Sequence, residues 1–396
     1  MPYADAIADI AVVHDADAHI MEPPTWLKDF ADPVDRDRMP MVWNTSVYDE
    51  NMHLLDRAAS RHNDPSFRAD DRSQIMLRKN WEGTGSFISV DRPAALDLMG
   101  FATQLIFNTF CSDLFSRTEQ TKNDDSIYAM ATAHNRAITE FCSPDPRLLP
   151  VGFVSLADID MAIANARHAI DIGCAALMIS SACPRTHSPS HIGLDPVWAM
   201  AQAAGIPIVF HVGGGGRLLS PTYFNNGLPA VPDFHGGAEN FRSVDYMAIP
   251  TPVMQTLATM IFDGVLDRFP TLKFGVIEQG ASWLPGWMRN LDAAFSAFRK
   301  NETRLHNLST TPSEIVRRQI RVTPYPHEDT GWCIANSGPE ICMFSSDFPH
   351  VEGGRNPLKR FEESLAGVDP YSRQRFYRHN FADIFSNVLS ARGLPC

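Results

Sequence analysis

Four apolar runs in this chain each end on side chains that can ligate a metal, and that coincidence constrains the fold more than any bulk property. The runs are Ala11-Val-Val-His-Asp-Ala-Asp17 with His19 just beyond, Ile206-Pro-Ile-Val-Phe-His211, Leu272-Lys-Phe-Gly-Val-Ile-Glu278 and Ile341-Cys-Met-Phe-Ser-Ser-Asp347. Each reads as a buried strand with a polar residue at its exit. In a parallel barrel all strands point the same way, so their C-terminal ends converge on one rim and residues far apart in sequence meet there. Asp17, His19, His211, Glu278 and Asp347 supply imidazoles and carboxylates, the groups that bind a divalent cation without further modification.

The rest of the chain alternates strand and helix patterns, which points to a parallel α/β sheet. Besides the four runs, strands are expected at Gln104–Asn108, Leu149–Ser155, Ala175–Ser180 and Ile320–Pro324, which makes the eight that a closed (β/α)8 barrel needs. Helices are expected at Asp124–Phe141, Asp158–Ile172, Asp195–Ala204, Thr251–Phe269, Trp283–Phe298 and Ser313–Arg318. The third has Pro196 near its start and Gly205 past its end, an asymmetry typical of helices. Two stretches interrupt the alternation, roughly 23–91 after the first strand and 213–248 after the fifth, both far longer than ordinary connecting loops. They are expected to cover the rim, with Trp26, Trp43 and Trp81 as an apolar pocket wall. At 396 residues, the simplest organisation is one barrel domain over 1–396 with these two insertions.

Charge narrows the partners. The formal net charge of -12 and the lack of any basic run argue against nucleic acid or an anionic membrane surface. Acidic residues in Met1–Ile10 do not fit a signal peptide, and no stretch is long and apolar enough to span a bilayer. A cytoplasmic protein acting on a small molecule, with a homo- or hetero-oligomer open, is the expectation. The seven cysteines show no zinc-ribbon spacing and read as small core residues in a reducing compartment.

Each site residue also has a plainer reading. Asp17 can cap a turn, His211 can be a satisfied core histidine, and Glu278 and Asp347 can sit in structural ion pairs, with Lys273 and Arg289 as partners. An ionised carboxylate ending an apolar strand must be matched by a cation or by hydrogen bonds, which favours function for Asp347. Glu22, His235, His350 and Glu352 lie on expected rim loops as further ligands, supporting partners or substrate contacts. His14 alternates with Asp15 and should face the helices, while His168 falls inside one. Gly213–Gly216 lacks the Lys-Ser/Thr of a phosphate cradle, and no serine or cysteine has the setting of a nucleophile.

Several motifs together resemble the amidohydrolase superfamily, in the branch that includes aminocarboxymuconate-semialdehyde decarboxylase and the resorcylate-type decarboxylases. They are Asp15-Ala-Asp-Ala-His19-Ile-Met-Glu22-Pro23, the strand ending in His211, Phe269-Pro-Thr-Leu-Lys273 leading to Glu278-Gln-Gly280, Ser346-Asp347-Phe-Pro-His350 and Asn380-Phe-Ala-Asp-Ile-Phe385. The resemblance implies a (β/α)8 barrel and a divalent metal held by Asp17, His19, His211 and Asp347. In hydrolytic members the aspartate corresponding to Asp347 also takes a proton from metal-bound water. The chain departs from the pattern in two places. Its first motif is Asp-x-His, and its sixth strand ends in Glu278 where the decarboxylases carry a histidine, a difference that argues against decarboxylation. The fourth strand has no terminal lysine to bridge two metals.

The leading expectation is therefore a metal-dependent hydrolase using metal-activated water, with Asp347 as base and Glu278 as a second catalytic group or ligand. Non-oxidative decarboxylation of an aromatic or unsaturated acid is the alternative. A third reading is an oxygen-dependent mono-oxygenase with a dinuclear Fe or Mn/Fe site bridged by Glu278, since three carboxylates with two imidazoles suit a harder metal than a lone zinc. A non-catalytic binding barrel is the plainest of the four. The cofactor expected is one or two ions of Zn, Mn or Fe.

Overall fold

The computed structural model describes residues 2–7, 9–43, 48–121, 124–215, 218–229 and 242–396. Seven strands, β1 (His14–His19), β2 (Thr103–Phe107), β3 (Leu148–Phe153), β4 (Ala176–Met178), β5 (Ile208–His211), β6 (Phe274–Ile277) and β7 (Ile320–Val322), form one parallel sheet in sequence order. Every residue of these strands is buried, the pattern of a sheet covered on both faces. Helices lie between consecutive strands, among them Asp124–Cys142, Ile159–Asp171, Asp195–Ala204, Thr251–Phe262, Leu284–Phe298 and Pro312–Gln319. The expected Thr251–Phe269 helix stops at Phe262 because Gly264 turns left-handed at φ 76°, and a short turn, Val265–Arg268, follows.

The expected eighth strand is not regular. The segment 341–348 instead makes isolated parallel bridges on both sides, Val322 to Cys342 and Ala18 to Phe348. The Met343 amide donates to the Val322 carbonyl (2.8 Å), and the Asp347 amide donates to the Asp17 carbonyl (2.9 Å). The ladder breaks because two of its amides are spent elsewhere. Phe344 N–H donates to the Phe376 carbonyl (3.0 Å) and Ser346 N–H to Asp15 Oδ1 (2.7 Å). Both edges of the sheet are thus bonded to one segment, an arrangement compatible with a closed barrel.

The stretch after β1 holds helices Trp26–Phe30 and Tyr48–His62, which its polar sequence does not announce, before Arg92–Met99 leads into β2. It packs over the end of β2, where Trp81 stacks on Phe110 with ring centroids 5.8 Å apart and Trp43 stands edge-on to Trp81 at 5.4 Å. Trp26 departs from expectation. Its indole N–H donates to His134 Nδ1 (3.2 Å) on helix Asp124–Cys142, so it belongs to the outer layer. Cys183 and Cys396 are exposed rather than core residues, whereas the other five cysteines are buried. Among the described residues no helix is long and apolar enough to cross a membrane.

β1 is the most polar strand, and its first half is matched internally. His14 shares a hydrogen bond with Thr103 Oγ1 (2.8 Å) and stacks on Phe381 at 4.8 Å, facing the helices as its alternation predicts. Asp15 accepts from Ser346 N–H, Ser346 Oγ (2.6 Å) and Gln104 Nε2 (2.8 Å), tying β1 to β2 and to the closing segment. An Asp15→Asn change turns one acceptor into a donor facing donors. It should cost about 2–4 kcal/mol of stability, read by urea unfolding with a chelator present. A loss below about 1 kcal/mol would show that closure does not depend on this carboxylate.

Candidate metal centre

Each ligand-type residue is placed by local backbone that the surrounding contacts hold. A register shift between Asp15 and Ala18 forms a bulge in β1, and such bulges re-aim side chains. Asp15 turns to the closing segment while Asp17 and His19 meet at the site. His211 is the last residue of β5, and Glu278 follows β6 directly. Glu278 and Asp347 both have φ of 52°, the left-handed region that costs a non-glycine residue about 1 kcal/mol or more. The strain is held from both sides. Glu278 N–H donates to Thr323 Oγ1 (2.8 Å) and its carbonyl accepts from Tyr325 OH (2.7 Å). Asp347 N–H is bound to β1, and its carbonyl accepts from His350 N–H (2.8 Å). Gly353 closes the same turn, where a Cβ would stand 2.1 Å from the Ser346 carbonyl oxygen.

These residues form two ligand groups that share His19. Asp17, His19, His211 and Glu278 present atoms within 4.8 Å of one another, and so do His19, Asp347 and His350. Asp17 Oδ1 lies 3.2 Å from His19 Nε2 and 3.4 Å from His211 Nε2, and His211 Nε2 lies 3.3 Å from Glu278 Oε2. Asp347 Oδ1 stands 3.6 Å from His19 Nε2 and 3.2 Å from His350 Nδ1. All five residues expected to ligate are brought together, with Glu278 in the first group and Asp347 in the second.

The hydrogen bonds around the cluster fix what its atoms can do. A carbonyl only accepts, so His19 Nδ1 donates to Asn108 O (2.9 Å) and His211 Nδ1 donates to Val212 O (3.0 Å). Imidazoles so held turn Nε2 toward the site, where each in its neutral form offers a lone pair to a cation. Thr109 gives its single hydroxyl proton to Ile20 O (2.7 Å), so its contact with His350 Nε2 (2.8 Å) has the ring donating, which leaves Nδ1 as an acceptor facing Asp347. Asp17 Oδ1, His19 Nε2, His211 Nε2 and both Asp347 oxygens are buried without a hydrogen-bond donor. Acceptors converging on acceptors repel unless a positive charge lies among them, so this donor set fits a divalent cation.

Burial pushes the His19 and His350 imidazoles down to about 4, so both are lone-pair donors at neutral pH. Burial also raises Asp17, yet the adjacent His19 and His211 outweigh it and keep this carboxyl below its ordinary range. His211 moves the other way: burial lowers it, but Asp17 raises it further. Burial, reinforced by the Asp17 charge, pushes Asp347 up to about 7. The field that favours a proton on His211 is the field that favours a metal ion beside Asp17.

The remaining expected residues part company. Glu22 is buried, and its oxygens accept from the amides of Thr109 (2.9 Å), Phe110 (3.1 Å) and Cys111 (3.1 Å), so it fastens the loop after β2 and belongs to neither ligand group. His235 lies outside the described residues. His350 joins the site, stacked on His19 at 4.0 Å, and His168 sits on the outer helix Ile159–Asp171. Lys273 bonds Asp383 (3.3 Å) on the far side rather than a site carboxylate. Two contributors carry no sequence signal: Asn108, which acts through its carbonyl, and Lys79, in the first insertion. Lys79, Trp81, Thr109, Phe110, His350 and Glu352 are among the residues lining a cavity of about 180 Å³ beside the cluster.

A sequence model of the family described as Amidohydrolase matches residues 101–385. No curated protein matches the chain. Among solved structures, an amidohydrolase from Mycobacterium avium subsp. paratuberculosis K-10 is similar at a TM-score of 0.69 and 20% identity, covering 94% of this chain and 99% of that one. The 5-carboxyvanillate decarboxylase of Novosphingobium aromaticivorans, complexed with manganese and 4-hydroxy-3-methoxy-5-nitrobenzoic acid, is similar at a TM-score of 0.62 and 17% identity, covering 95% and 96%. A dihydroxybenzoic acid decarboxylase of Polaromonas sp. JS666, with bound manganese and the inhibitor 2-nitroresorcinol, gives a TM-score of 0.58 at 14% identity, covering 96% and 97%. At these identities the structures share the fold.

Loss of a partner beyond the ligand shell costs about 10- to 100-fold in metal affinity, and loss of a ligand costs more. Protein loaded with manganese and dialysed should therefore keep its metal, whereas His211→Ala and Asp347→Ala should each lose most of it by elemental analysis. Full stoichiometry in both variants, with His168→Ala as control, would remove the site.

Proposed function

The chain belongs to the amidohydrolase family, and from that premise we propose that this enzyme performs the metal-dependent, non-oxidative decarboxylation of an aromatic carboxylic acid. We read residues 1–396 as one (β/α)8 barrel domain with insertions at roughly 23–91 and 213–248, acting in the cytoplasm on a small molecule. Asp17, His19, His211 and Asp347 would hold the ion. Glu278 is placed to share it or to hold a second.

One observation carries the reading: the buried acceptor cluster, fit for a divalent cation, adjoins through His350 a cavity walled by the flat rings of Trp81 and Phe110, where Lys79 and Arg57 are balanced by Glu82 and Glu352. That combination suits a flat anion better than a peptide or a sugar. Decarboxylases of aromatic acids share the fold, which adds support. Hydrolysis by metal-activated water, the leading expectation from the sequence, has only the breadth of the family behind it.

In this reaction the bond between ring and carboxyl carbon breaks, carbon dioxide leaves, and the ring carbon keeps the electron pair and takes a proton. A bound divalent cation supplies the positive charge that orients the carboxylate and offsets the charge left behind. The protein moves the proton. Asp347 is buried between the cluster and His350, with Oδ1 3.2 Å from His350 Nδ1, so it is the residue placed to pass a proton to the ring carbon. Tyr325 and Thr323 pin the backbone of Glu278, whose Oε2 lies 3.3 Å from His211 Nε2, where its charge would bear on the ion.

A second reading rests on the pairing of ligand groups around His19 and on Glu278 standing where decarboxylases carry histidine. Two ions held there would suit an oxygenase that consumes dioxygen and electrons from an external reductant. The two readings separate experimentally. Manganese-loaded protein given 2,6-dihydroxybenzoate or 5-carboxyvanillate under argon should release carbon dioxide in step with substrate loss, and Asp347→Asn should slow it by about 10²- to 10⁴-fold. Turnover that requires oxygen, with Glu278→Gln releasing one of two bound ions, would overturn decarboxylation in favour of the second reading.

A further inference from the structure

The turn that carries two candidate ligands is gripped from two sides. Asp347 and His350 bracket Phe348 and Pro349, and β1 holds one side of them. Asp347 N–H donates to Asp17 O (2.9 Å), and Phe348 O accepts from His19 N–H (2.7 Å). The Pro349 carbonyl is taken by a residue remote in sequence, since Asn80 N–H donates to it at 2.8 Å. Asn80 opens the short turn Asn80–Glu82 in the stretch after β1. Gly83, the next residue, lies against the same two side chains. A Cβ there would stand 2.8 Å from Pro349 Cβ and 3.3 Å from Phe348 Cζ, so a glycine is what lets the two turns touch.

Backbone strain singles out this contact. Asn80 has φ of 52°, and among the described residues the other non-glycine residues with positive φ are Glu278 and Asp347, both in the ligand groups. Left-handed backbone outside glycine costs about 1 kcal/mol or more and gathers where structure serves a site. The gripping turn is itself firmly seated. Gly83 N–H donates to Asn80 O (3.1 Å), His62 Nε2 donates to Trp81 O (3.1 Å), and Trp81 stacks on Phe110. Ser86 O accepts from Met21 N–H (2.8 Å), two residues past His19. The turn is thus fastened to the body of the protein independently of the ligand turn that it presses on.

We propose that Asn80 and Gly83 are positioning residues of the metal centre: through Pro349 and Phe348 they hold Asp347 and His350 where, with His19, these form the second ligand group. The inference rests on the assignment of a metal centre and not on the reaction that it serves. Neither residue is a ligand in this role; each acts through the backbone of the ligand turn. The gripping turn also carries Trp81 and Glu82 into the cavity wall, and Val351 and Glu352 follow the ligand turn into the same wall, so metal centre and cavity share one support. Coupling of this kind is reciprocal. A turn that strengthens metal binding is itself stabilised when the metal binds.

Manganese affinity, read from the electron paramagnetic resonance of free Mn(II), tests the variants. Gly83→Ala should weaken binding by about 10- to 100-fold, the range for a partner beyond the ligand shell, and should alter the visible absorption of the Co(II)-substituted protein. Asn80→Val, which puts a β-branched residue at a left-handed position, should do the same, whereas Asn80→Gly keeps both amide and φ and should retain wild-type affinity. A merely structural role would lower the urea stability of metal-free protein and leave affinity and spectrum where they were. Wild type supplies a test that needs no variant to fold. Hydrogen exchange of peptides covering 79–86 should slow on manganese loading by more than that of peptides covering 159–171. Unchanged affinity in Gly83→Ala, or no such protection in wild type that binds manganese, would overturn the positioning role and leave the metal centre standing. Wild type that binds no manganese would remove the metal centre and the role with it.

Discussion

The structure depends on an accumulation of hydrogen-bond acceptors in a place where water cannot satisfy them. Asp17 Oδ1, His19 Nε2, His211 Nε2 and both oxygens of Asp347 are buried and unpartnered, and Asn108 and Val212 hold the two rings with their lone pairs inward. Such a cluster is repulsive by itself, and the fold accepts it only by spending contacts elsewhere. The left-handed backbone at Glu278 and Asp347, pinned by Thr323, Tyr325 and the β1 carbonyl of Asp17, is part of that expenditure. A metal ion converts the whole arrangement from destabilising to stabilising, because each lone pair then has a partner.

β1 shows how one strand divides structural from chemical work. From Asp15 on its residues alternate acid or imidazole with alanine, yet all are buried. His14 and Asp15 are satisfied by Thr103, Phe381, Gln104 and Ser346, which fastens β1 between β2 and the closing segment. The bulge after Asp15 then lets Asp17 and His19 turn to the rim together. Without the bulge, strict alternation would set Asp15 on the same face as Asp17 and crowd a fourth carboxylate into the site.

The ligand-bearing strand ends are legible in the sequence because a charged residue closing an apolar run has few structural uses. The pattern of strand and helix is legible for the same reason, since period and punctuation are local properties. Legibility ends where long-range hydrogen bonds decide. Ile341–Asp347 reads as a strand, but Phe376 and Asp15 draw away two of its amides. Glu22 resembles a ligand in its motif, yet three amides after β2 take its carboxylate. Trp26 and Trp81 look equivalent, and only packing against His134 or Phe110 separates them. Lys79 sits in a stretch that gives no periodic signal, so its place beside Pro349 is visible only in three dimensions.

Glu278 is where the reaction classes meet. A histidine there would be a proton carrier; a carboxylate 3.3 Å from His211 Nε2 would add negative charge beside a bound ion instead. The proposed decarboxylation accommodates this, because Asp347, 3.2 Å from His350 Nδ1 in the second ligand group, is also placed to pass a proton. The added charge strengthens metal binding while weakening the ion's pull on a substrate anion.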